Sequence, residues 1–384
     1  MSIDIFSQQP ITAEQLQEAM SHALQQIDRN LEQLGDQFLG LSSENLIYPA
    51  IDNISWATGF WTGMIWLAYE VTGHDKYREA AERHVISFKD RLDREVDIDH
   101  HDLGFLYTLS CVSAYKLTGS GLARETALRA ADHLLGRFKE KGAFIQAWGE
   151  VNNGQESRLI IDSLMNVPLL FWASETTGRP QYEQAAYEHV RTLTKHIFRP
   201  DGSTYHTYYF DAESGRPIKG VTHQGHSDSS CWARGQAWGI AGLPLSYRYT
   251  KDPALIDAYK NTLQYYLARL PGDYVNYWDL VFTQGDEPRD SSAAAIAVCG
   301  MLEMNKWVEQ EDELKRLNTQ AAQCILQSLM TSYTTKGFPH SNGLLLHAVY
   351  AKPQKVGVDE CNIWGDYFYM EALVRLMKDW ELYW

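Results

Sequence analysis

The sequence predicts an all-α protein, an (α/α)6 barrel of about six helical hairpins. One unit recurs along the 384 residues: an apolar, aromatic-rich helix, a short turn that often reads Thr-Gly, and a charged amphipathic helix. The first helix of each unit is apolar on almost all sides, whereas the second shows apolar residues at i, i+3 and i+4. Because fully apolar helices belong inside a fold, we expect parallel inner helices surrounded by the amphipathic ones.

The predicted elements follow one another in a simple order. An amphipathic helix over about 13–34 has no partner, and it can close the ring because the last hairpin lacks its second helix. The segment GSTYHTYYFD, in the long connection 201–230, is typical of a small β-hairpin in a rim loop. We therefore expect residues 1–384 to form a single domain, with an open helical solenoid as the alternative. The hairpins are predicted to start near Phe60, Asp102, Asp162, Trp232, Asp290 and Trp364.

The composition argues against several classes of protein. The net charge is −15 and no Lys/Arg run is present, so a surface for nucleic acid or anionic membranes is not expected. The N-terminus lacks a signal-peptide pattern and no uncharged stretch reaches membrane-spanning length, which predicts a soluble, cytoplasmic protein. Five scattered cysteines without a CxxC pair predict neither a disulfide framework nor a thiolate metal site.

Asp102 and Asp162 each open an apolar helix-like run, and they are the leading candidates for chemistry. Parallel inner helices place these aspartates on one rim with Arg234, Asp290 and Asp366. A lone aspartate at such a position usually caps its helix. A neighbouring pair can instead split its pKa values, so that one carboxyl donates a proton while the other stays charged. We interpret Asp290 and Asp366 mainly as caps or supporting groups.

Other polar and aromatic residues accompany the pair. His100 and His101 precede Asp102 without a spaced ligand set, so no metal is predicted, and no Gly-rich phosphate loop points to a cofactor. Arg234 fits a substrate carboxylate in a bidentate fork, with a salt bridge to a rim aspartate as the alternative. Four tryptophans are candidates for stacking on sugar faces: Trp56, Trp61, Trp148 and Trp238. Together these groups favour glycoside chemistry on an acidic sugar.

Ordered motifs from about Ser55 to the C-terminus resemble the unsaturated glucuronyl hydrolases of glycoside hydrolase family 88. They are SWATGFWTG, DHHDLGFLY, IQAWGE, IIDSLMN, YHTYYFD, THQGHSD, WARGQAWG, PRDSSA and DECNIWGDYFY. The resemblance implies an (α/α)6 barrel that removes 4,5-unsaturated uronic acid from the non-reducing end of lyase-generated glycosaminoglycan oligosaccharides. It implies hydration of the C4=C5 enol ether: a proton goes to C4, water adds at C5, and the hemiketal opens and expels the remaining sugar.

The same resemblance assigns roles. Asp162 corresponds to the general acid/base and Asp102 to the second essential carboxylate. Streptococcal-type relatives bind sulfate through Ser-x-x-Ser-x-Lys, where this chain has Ala351, Gln354 and Val356, so a preference for sulfated substrates is not predicted. Lys352 and Lys355 remain in this loop to contact an anion. The residues expected at the substrate are Trp56, Trp148, His206, Gly220, Thr222, His223, Gln224, Arg234, Trp238 and Tyr350.

Two other functions are the alternatives. One is an unsaturated rhamnogalacturonyl hydrolase acting on pectin fragments, against which HHDLGF and WARGQAWG argue. The other is a non-catalytic helical-repeat binding scaffold, which leaves the cluster of Trp, Arg and Asp on the rim unexplained. The expected partners are unsaturated glycosaminoglycan di- and oligosaccharides, with no nucleic acid and no membrane. The chain is expected to be a monomer or a dimer.

Overall fold

Two concentric rings of helices build the protein, as seen in a computed structural model that describes residues 10–151, 153–309 and 312–384. The inner ring contains α2 (Thr58–Thr72), α4 (Leu103–Tyr107) continued by a π-helical turn (Thr108–Val112) and α5 (Ser113–Thr118), α7 (Ser163–Asn166) with α8 (Pro168–Thr177), α10 (Ala233–Thr250), α12 (Ser291–Met304) and α14 (Ile363–Met377). The outer ring contains α1 (Ala13–Leu34), α3 (Asp75–Asp93), α6 (Gly121–Leu135), α9 (Pro180–Ile197), α11 (Ala254–Leu267) and α13 (Glu313–Ser332).

The inner ring is closed. Each inner helix contacts the next one in the order α2, α4, α7, α10, α12 and α14, and α14 packs against α2. The predicted fold class is confirmed, and an open solenoid is excluded because the first and last inner helices touch. Helix α1 packs against α14 and α2. The assignment of residues 1–384 to one domain stays a prediction, and residues 1–9 lie outside the described chain.

The turns between inner and outer helices follow the repeated Thr-Gly signal. Gly73, Gly119 and Gly178 end α2, α5 and α8 with φ of 69°, 72° and 72°. This left-handed conformation costs glycine little and other residues more, so the Thr-Gly pair is a turn with a physical reason. No helix among the described residues has the length and apolar character needed to cross a bilayer.

Short strands lie in the connections between the helices. The predicted hairpin is present as β6 (Thr207–Phe210) and β7 (Pro217–Val221), and β5 (Arg158–Ile160) adds a third, unpredicted strand, with Ile160 opposite Thr207. Asp162 follows this sheet directly, so the sheet helps to place it. The other strands form two-stranded pairs: β1 (Phe38–Leu39) with β2 (Ala50–Ile51), β3 (Phe138–Lys139) with β4 (Phe144–Ile145), and β8 (Ala348–Ala351) with β9 (Val356–Glu360).

The barrel axis is filled near the C-terminal ends of α12 and α14. Arg375 pairs with Glu303 at 2.7 Å and with Glu371 at 2.8 Å, and all three side chains are almost fully buried. Trp384 stacks parallel to Phe368 with ring centroids 6.0 Å apart and donates its Nε1–H to Glu371. A buried charge is tolerated only when it is paired in this way. We therefore interpret this end of the barrel as a part of the core that stabilises the fold.

Gly104 marks the closest approach of two inner helices, and its replacement gives a test of the packing. A Cβ at this position would overlap the backbone of Asn166 in α7. We expect Gly104→Ala to lower the free energy of unfolding by about 1–3 kcal/mol, because backbone cannot yield as a flexible side chain does. Gly121→Ala is the control, since a Cβ there meets nothing within 4 Å. Urea denaturation measures the stability of both variants. Equal stability would contradict this packing.

Candidate active site

Asp102 and Asp162 occupy the N-cap positions of α4 and α7, yet neither side chain accepts a capping hydrogen bond. Asp290 provides the contrast, since its carboxylate accepts from the N–H groups of Ser292 and Ala293 at the start of α12. Capping therefore explains Asp290 but not the other two aspartates. Their carboxylates are available for different interactions.

Two side chains connect the carboxylates. His101 Nε2 lies 3.4 Å from Asp102 Oδ1 and 3.3 Å from Asp162 Oδ1. Asn166 Nδ2 donates to Asp102 Oδ1 at 3.4 Å and to the Asp162 carbonyl at 3.3 Å. Its Oδ1 accepts from the N–H of Phe105 in α4 at 2.7 Å. The carboxylates are thus held close together, and their side chains stay 13% and 18% exposed.

The environment favours the protonated form of Asp162. Burial raises the pKa of Asp162 well above its usual value, and the nearby charge of Asp102 raises it further, while Arg234 opposes the change. Asp162 Oδ1 also has no hydrogen-bond partner among the described residues. A carboxyl group in this state is a proton donor near neutral pH.

Asp102 is shifted in the opposite direction. Burial alone would raise the pKa of Asp102, but His101, His100 and the Asn166 amide together lower it. Burial lowers the pKa of His101 to about 4, whereas the Asp102 and Asp97 carboxylates overcome burial and raise the pKa of His100 to about 9. The raised pKa favours the charged form of His100, whose Nδ1 lies 3.4 Å from Asp102 Oδ2 and 3.1 Å from the Asp102 backbone nitrogen. The surroundings therefore shift the pKa values of the two carboxyls in opposite directions, with Asp162 raised and Asp102 lowered.

Three side chains of the site also carry atoms of the kind that bind metal ions. His101, Asp102 and Asp162 each offer one ligand atom, all within 4.8 Å of one another. A ligating histidine usually donates its second N–H to a partner, but His101 Nδ1 is buried without one among the described residues. The raised pKa of Asp162 also favours a proton over a cation. The donor set therefore fits a shared proton better than a metal ion.

Arg234 forms the salt bridge that the sequence analysis named as its alternative role. Its Nη1 lies 3.2 Å from Asp290 Oδ2, and both side chains are at most 2% exposed. Nη2 donates to the Tyr350 carbonyl at 2.7 Å and to Gln224 Oε1. The guanidinium stacks over Trp232 at 4.4 Å. It is thus anchored beside Asp162, and its binding of a substrate carboxylate stays a prediction.

Aromatic side chains form two walls near the carboxylates. On one side, half-buried Trp56 stacks on Trp364 with centroids 5.2 Å apart and lies 6.4 Å from Tyr350. On the other side, Trp148 contacts His223 at 5.9 Å and carries the Arg158 guanidinium 4.4 Å from its ring. Both walls expose ring surface of the kind that packs on sugars.

Trp238 and Trp61 differ from these tryptophans. Trp238 is 1% exposed and packs against Phe105 and Phe368 inside the barrel. Trp61 is fully buried. Trp238 packs against Phe105 and so supports its position. The contact of Trp238 with substrate stays a prediction.

The connection 201–230 contains five of the predicted residues. His206 Nδ1 accepts from the N–H of His223 at 3.0 Å, and burial lowers the pKa of His206 well below its usual value. Thr222 Oγ1 accepts from the N–H of Gly225. Gly220 is required by packing, because a Cβ there would overlap the Tyr205 ring. Gln224 reaches the site through its bond to Arg234.

The β8–β9 hairpin folds over the same region. Lys352 Nζ lies 3.4 Å from Glu287 Oε2, and Gln354 Nε2 donates to the His223 carbonyl at 2.8 Å. Ala351 and Val356 pair across the hairpin. Gln354 therefore attaches this loop to the connection 201–230, and its amide stands where a hydroxyl was the expected anion ligand.

Two residues that contact the predicted groups were not selected from the sequence. Asn166 lies four residues after Asp162, and this spacing on one helix face is the signal that was available. Arg158 stacks on Trp148 and donates to Tyr209, and nothing in its sequence surroundings distinguishes it from a surface arginine. Asp366 accepts from the N–H groups of Leu344 and Leu345, in keeping with the supporting role expected for it.

Comparisons with known proteins agree with this geometry. Residues 39–377 match the sequence profile of Glycosyl Hydrolase Family 88. The unsaturated chondroitin disaccharide hydrolase of Streptococcus pneumoniae is 48% identical over 375 residues, 97% of this chain and 95% of the relative. The unsaturated glucuronyl hydrolase of Bacillus sp. strain GL1 is 42% identical over 372 residues, 96% of this chain and 98% of the relative.

A solved structure shows the same similarity in three dimensions. The unsaturated glucuronyl hydrolase from Streptococcus agalactiae superimposes with a TM-score of 0.98 at 47% identity, covering 100% of this chain and 97% of that one. The family profile spans most of the sequence, and the relatives are well above 30% identical over nearly their whole lengths. The chain therefore belongs to glycosyl hydrolase family 88.

Proposed function

We propose that this glycoside hydrolase removes 4,5-unsaturated uronic acid from the non-reducing end of oligosaccharides that polysaccharide lyases release from glycosaminoglycans. The observation that carries the proposal is the pair of aspartates with opposite pKa shifts, Asp162 raised and Asp102 lowered. An enol ether is protonated on carbon by a neutral acid, and the cation that develops is stabilised by a nearby negative charge. The site supplies both groups within reach of one another.

In the proposed reaction Asp162 gives its proton to C4 of the unsaturated sugar. Positive charge then develops at C5, where the ionised Asp102 stabilises it. The carboxylate left on Asp162 accepts a proton as water adds at C5, which restores the acid. The resulting hemiketal opens and expels the remaining sugar. This hydration needs no nucleophile from the protein, because water is the group that adds.

The predicted substrate residues are assigned supporting parts in this proposal. Trp56, Trp148 and Tyr350 pack against the sugar rings. Arg234 places a positive charge beside the Asp162 carboxyl. The remaining residues that we place at or near the substrate are His206, Gly220, Thr222, His223, Gln224 and Trp238.

The relatives support the substrate class. The pneumococcal relative is named for unsaturated chondroitin disaccharide, and a structure from Streptococcus agalactiae holds dGlcA-GalNAc6S. A further family structure, 41% identical to this chain with a TM-score of 0.92, is named with dGlcA-Glc-Rha-Glc. These names favour unsaturated glucuronyl substrates over the rhamnogalacturonyl alternative.

We further propose that the enzyme works in the cytoplasm as a monomer or dimer. All five cysteines are buried as thiols in the part of the chain that the structure describes, which fits a reducing compartment. The net charge of −15 also makes association with nucleic acid or anionic lipid unfavourable.

Asp162→Asn tests the proposed acid. We expect kcat to fall by about 10²–10⁴-fold, because the amide cannot transfer a proton to carbon. The measurement is loss of the ultraviolet absorbance of the conjugated enol-ether carboxylate in unsaturated chondroitin, hyaluronan and heparin disaccharides. Asp36→Asn is the control, since this side chain is 68% exposed on the surface.

The outcomes separate the candidate functions. Full activity of Asp162→Asn with an unchanged melting temperature would remove Asp162 from the mechanism. Turnover of pectin-derived substrates alone by the wild type would favour the rhamnogalacturonyl alternative. Absence of turnover on both substrate classes would favour the binding scaffold.

His100→Gln tests the electrostatic part of the mechanism. The active form carries ionised Asp102 and protonated Asp162, so kcat/KM falls as pH drops through the lowered pKa of Asp102 and as pH rises through the raised pKa of Asp162. Removing the His100 charge raises the pKa of Asp102, and we expect the acid limb of the profile to move to higher pH by about one unit. The matched control is His133→Gln, at an exposed position on α6. An unmoved acid limb would show that His100 does not hold Asp102 ionised.

A further inference from the structure

Two buried arginines lie behind the site, in the outer ring of helices. Arg91 is near the end of α3, and Arg137 follows the end of α6 by two residues. Each is only 2% exposed. Burial of a guanidinium is unfavourable unless its N–H groups find acceptors. For both arginines these acceptors belong to segments that carry the histidines and tryptophans of the site.

Arg91 holds the turn that precedes the two histidines. Its Nε donates to the Val96 carbonyl at 3.0 Å, and its Nη2 donates to the Asp97 carbonyl at 2.7 Å. Asp97 has a φ of 46°, a left-handed conformation that is uncommon for residues other than glycine. Arg91 Nη1 also donates to the carbonyl of Ser55 at 2.9 Å, directly before Trp56. Arg91 therefore stabilises this backbone turn and attaches it to the segment of Trp56.

His100 contacts the same carbonyl as Arg91. Its Nε2 lies 2.9 Å from the Asp97 carbonyl oxygen, and its Nδ1 lies 3.1 Å from the backbone nitrogen of Asp102. The imidazole thus spans the turn from Asp97 to Asp102, and its direction depends on where the Asp97 carbonyl points. Because Arg91 fixes that carbonyl, it controls the orientation of His100 and, through the ring, the position of Asp102.

Arg137 holds the segment of Trp148 in a similar way. Its Nε donates to the Gln146 carbonyl at 3.0 Å, and its Nη2 donates to the Gly149 carbonyl at 2.9 Å. These two carbonyls lie on either side of Trp148 in the chain. The Gln146 side-chain amide donates to the Gly149 carbonyl as well, at 3.2 Å. Since Arg137 Nη1 also pairs with Asp99, one buried side chain attaches the Trp148 segment to the segment that precedes the site carboxylate.

Segment 96–102 and the Trp148 segment also bond directly to each other. The N–H of His101 donates to the Ala147 carbonyl at 2.6 Å, and His100 pairs with Trp148 in an antiparallel β-bridge. Because these bonds join backbone groups, the two segments form one unit. The two arginines bond to this unit at separate points, so each constrains a different part of it.

We propose that Arg91 and Arg137 are positioning residues for the reaction, each acting without touching substrate. Arg91 orients Asp102 through His100, so it acts on the chemical step. Arg137 orients Trp148 through the neighbouring backbone, so it acts on substrate binding. A displacement of about 1 Å in a site can reduce the rate by about 10²-fold. The inference rests on the proposed function, because it assigns both arginines to that reaction.

Two double-mutant cycles test the proposal on the unsaturated chondroitin disaccharide. We expect Arg91→Met to lower kcat about tenfold, but by less than about twofold when His100→Gln is already present. We expect Arg137→Met to raise KM about tenfold, but by less than about twofold when Trp148→Ala is already present. The effect disappears in each case because the residue through which the arginine acts has been removed.

The crossed pairs separate positioning from a loss of stability. The effects of Arg91→Met and Trp148→Ala should multiply, because this arginine does not act through that ring. The effects of Arg137→Met and His100→Gln should multiply for the same reason. Arg375→Lys is the control for burial, since Arg375 is also almost fully buried, between Glu303 and Glu371. It should lower the melting temperature and leave kcat and KM unchanged.

Conservative variants provide the test if the methionine variants do not fold. Arg91→Lys and Arg137→Lys keep the charge but cannot reach all the acceptors, so we expect the same pattern with changes of about threefold. Changes in kcat and KM that are absent, or equal with and without the partner substitution, would overturn the inference and leave the proposed function standing. If the wild type turns over no unsaturated disaccharide, the proposed function fails and the inference fails with it.

Discussion

The close contact between the first turns of α4 and α7 is the constraint on which the site depends. Gly104 lets the two backbones meet at Asn166, and the Asn166 amide then bonds to both helices. Because these contacts involve backbone, the separation of Asp102 and Asp162 is fixed by the barrel rather than by flexible side chains. The electrostatic coupling between the two carboxyls follows from this distance.

Unequal surroundings then divide the two carboxyls into an acid and an anion. Asp102 has His100, His101 and the Asn166 amide to stabilise its charge, whereas Asp162 has burial and the Asp102 charge against ionisation. Two residues of the same type thereby have pKa values shifted in opposite directions. Neither side chain accepts a capping hydrogen bond from its own helix, so both carboxylates remain available for these contacts.

The three-stranded sheet connects Asp162 with the connection 201–230. Its strand β5 leads into Asp162, and β6 follows His206, whose ring supports the backbone of His223. Tyr209 and Phe210, at the far end of the same sheet, line a surface groove. The β8–β9 hairpin is attached to the connection 201–230 by Gln354. The sheet and this hairpin thus form one local framework around Asp162.

The sequence by itself determined the barrel and the positions of Asp102 and Asp162 at the starts of two inner helices. Apolar inner helices, amphipathic outer helices and Thr-Gly turns at Gly73, Gly119 and Gly178 are local signals, and each reflects the burial or backbone conformation of nearby residues. The predicted starts of the hairpins, near Asp102 and Asp162 among others, therefore agree with the helices observed.

Only the tertiary structure decided which side chains of the site contact one another. The position of His101 between the two carboxylates, the ion pair of Arg234 with Asp290 and the burial of Trp238 depend on residues far apart in the chain. The strand Arg158–Ile160 likewise acquires its role by pairing with residues about fifty positions later. Sequence patterns report local periodicity, but pairings between distant segments and the desolvation of each carboxyl arise only when the ring closes.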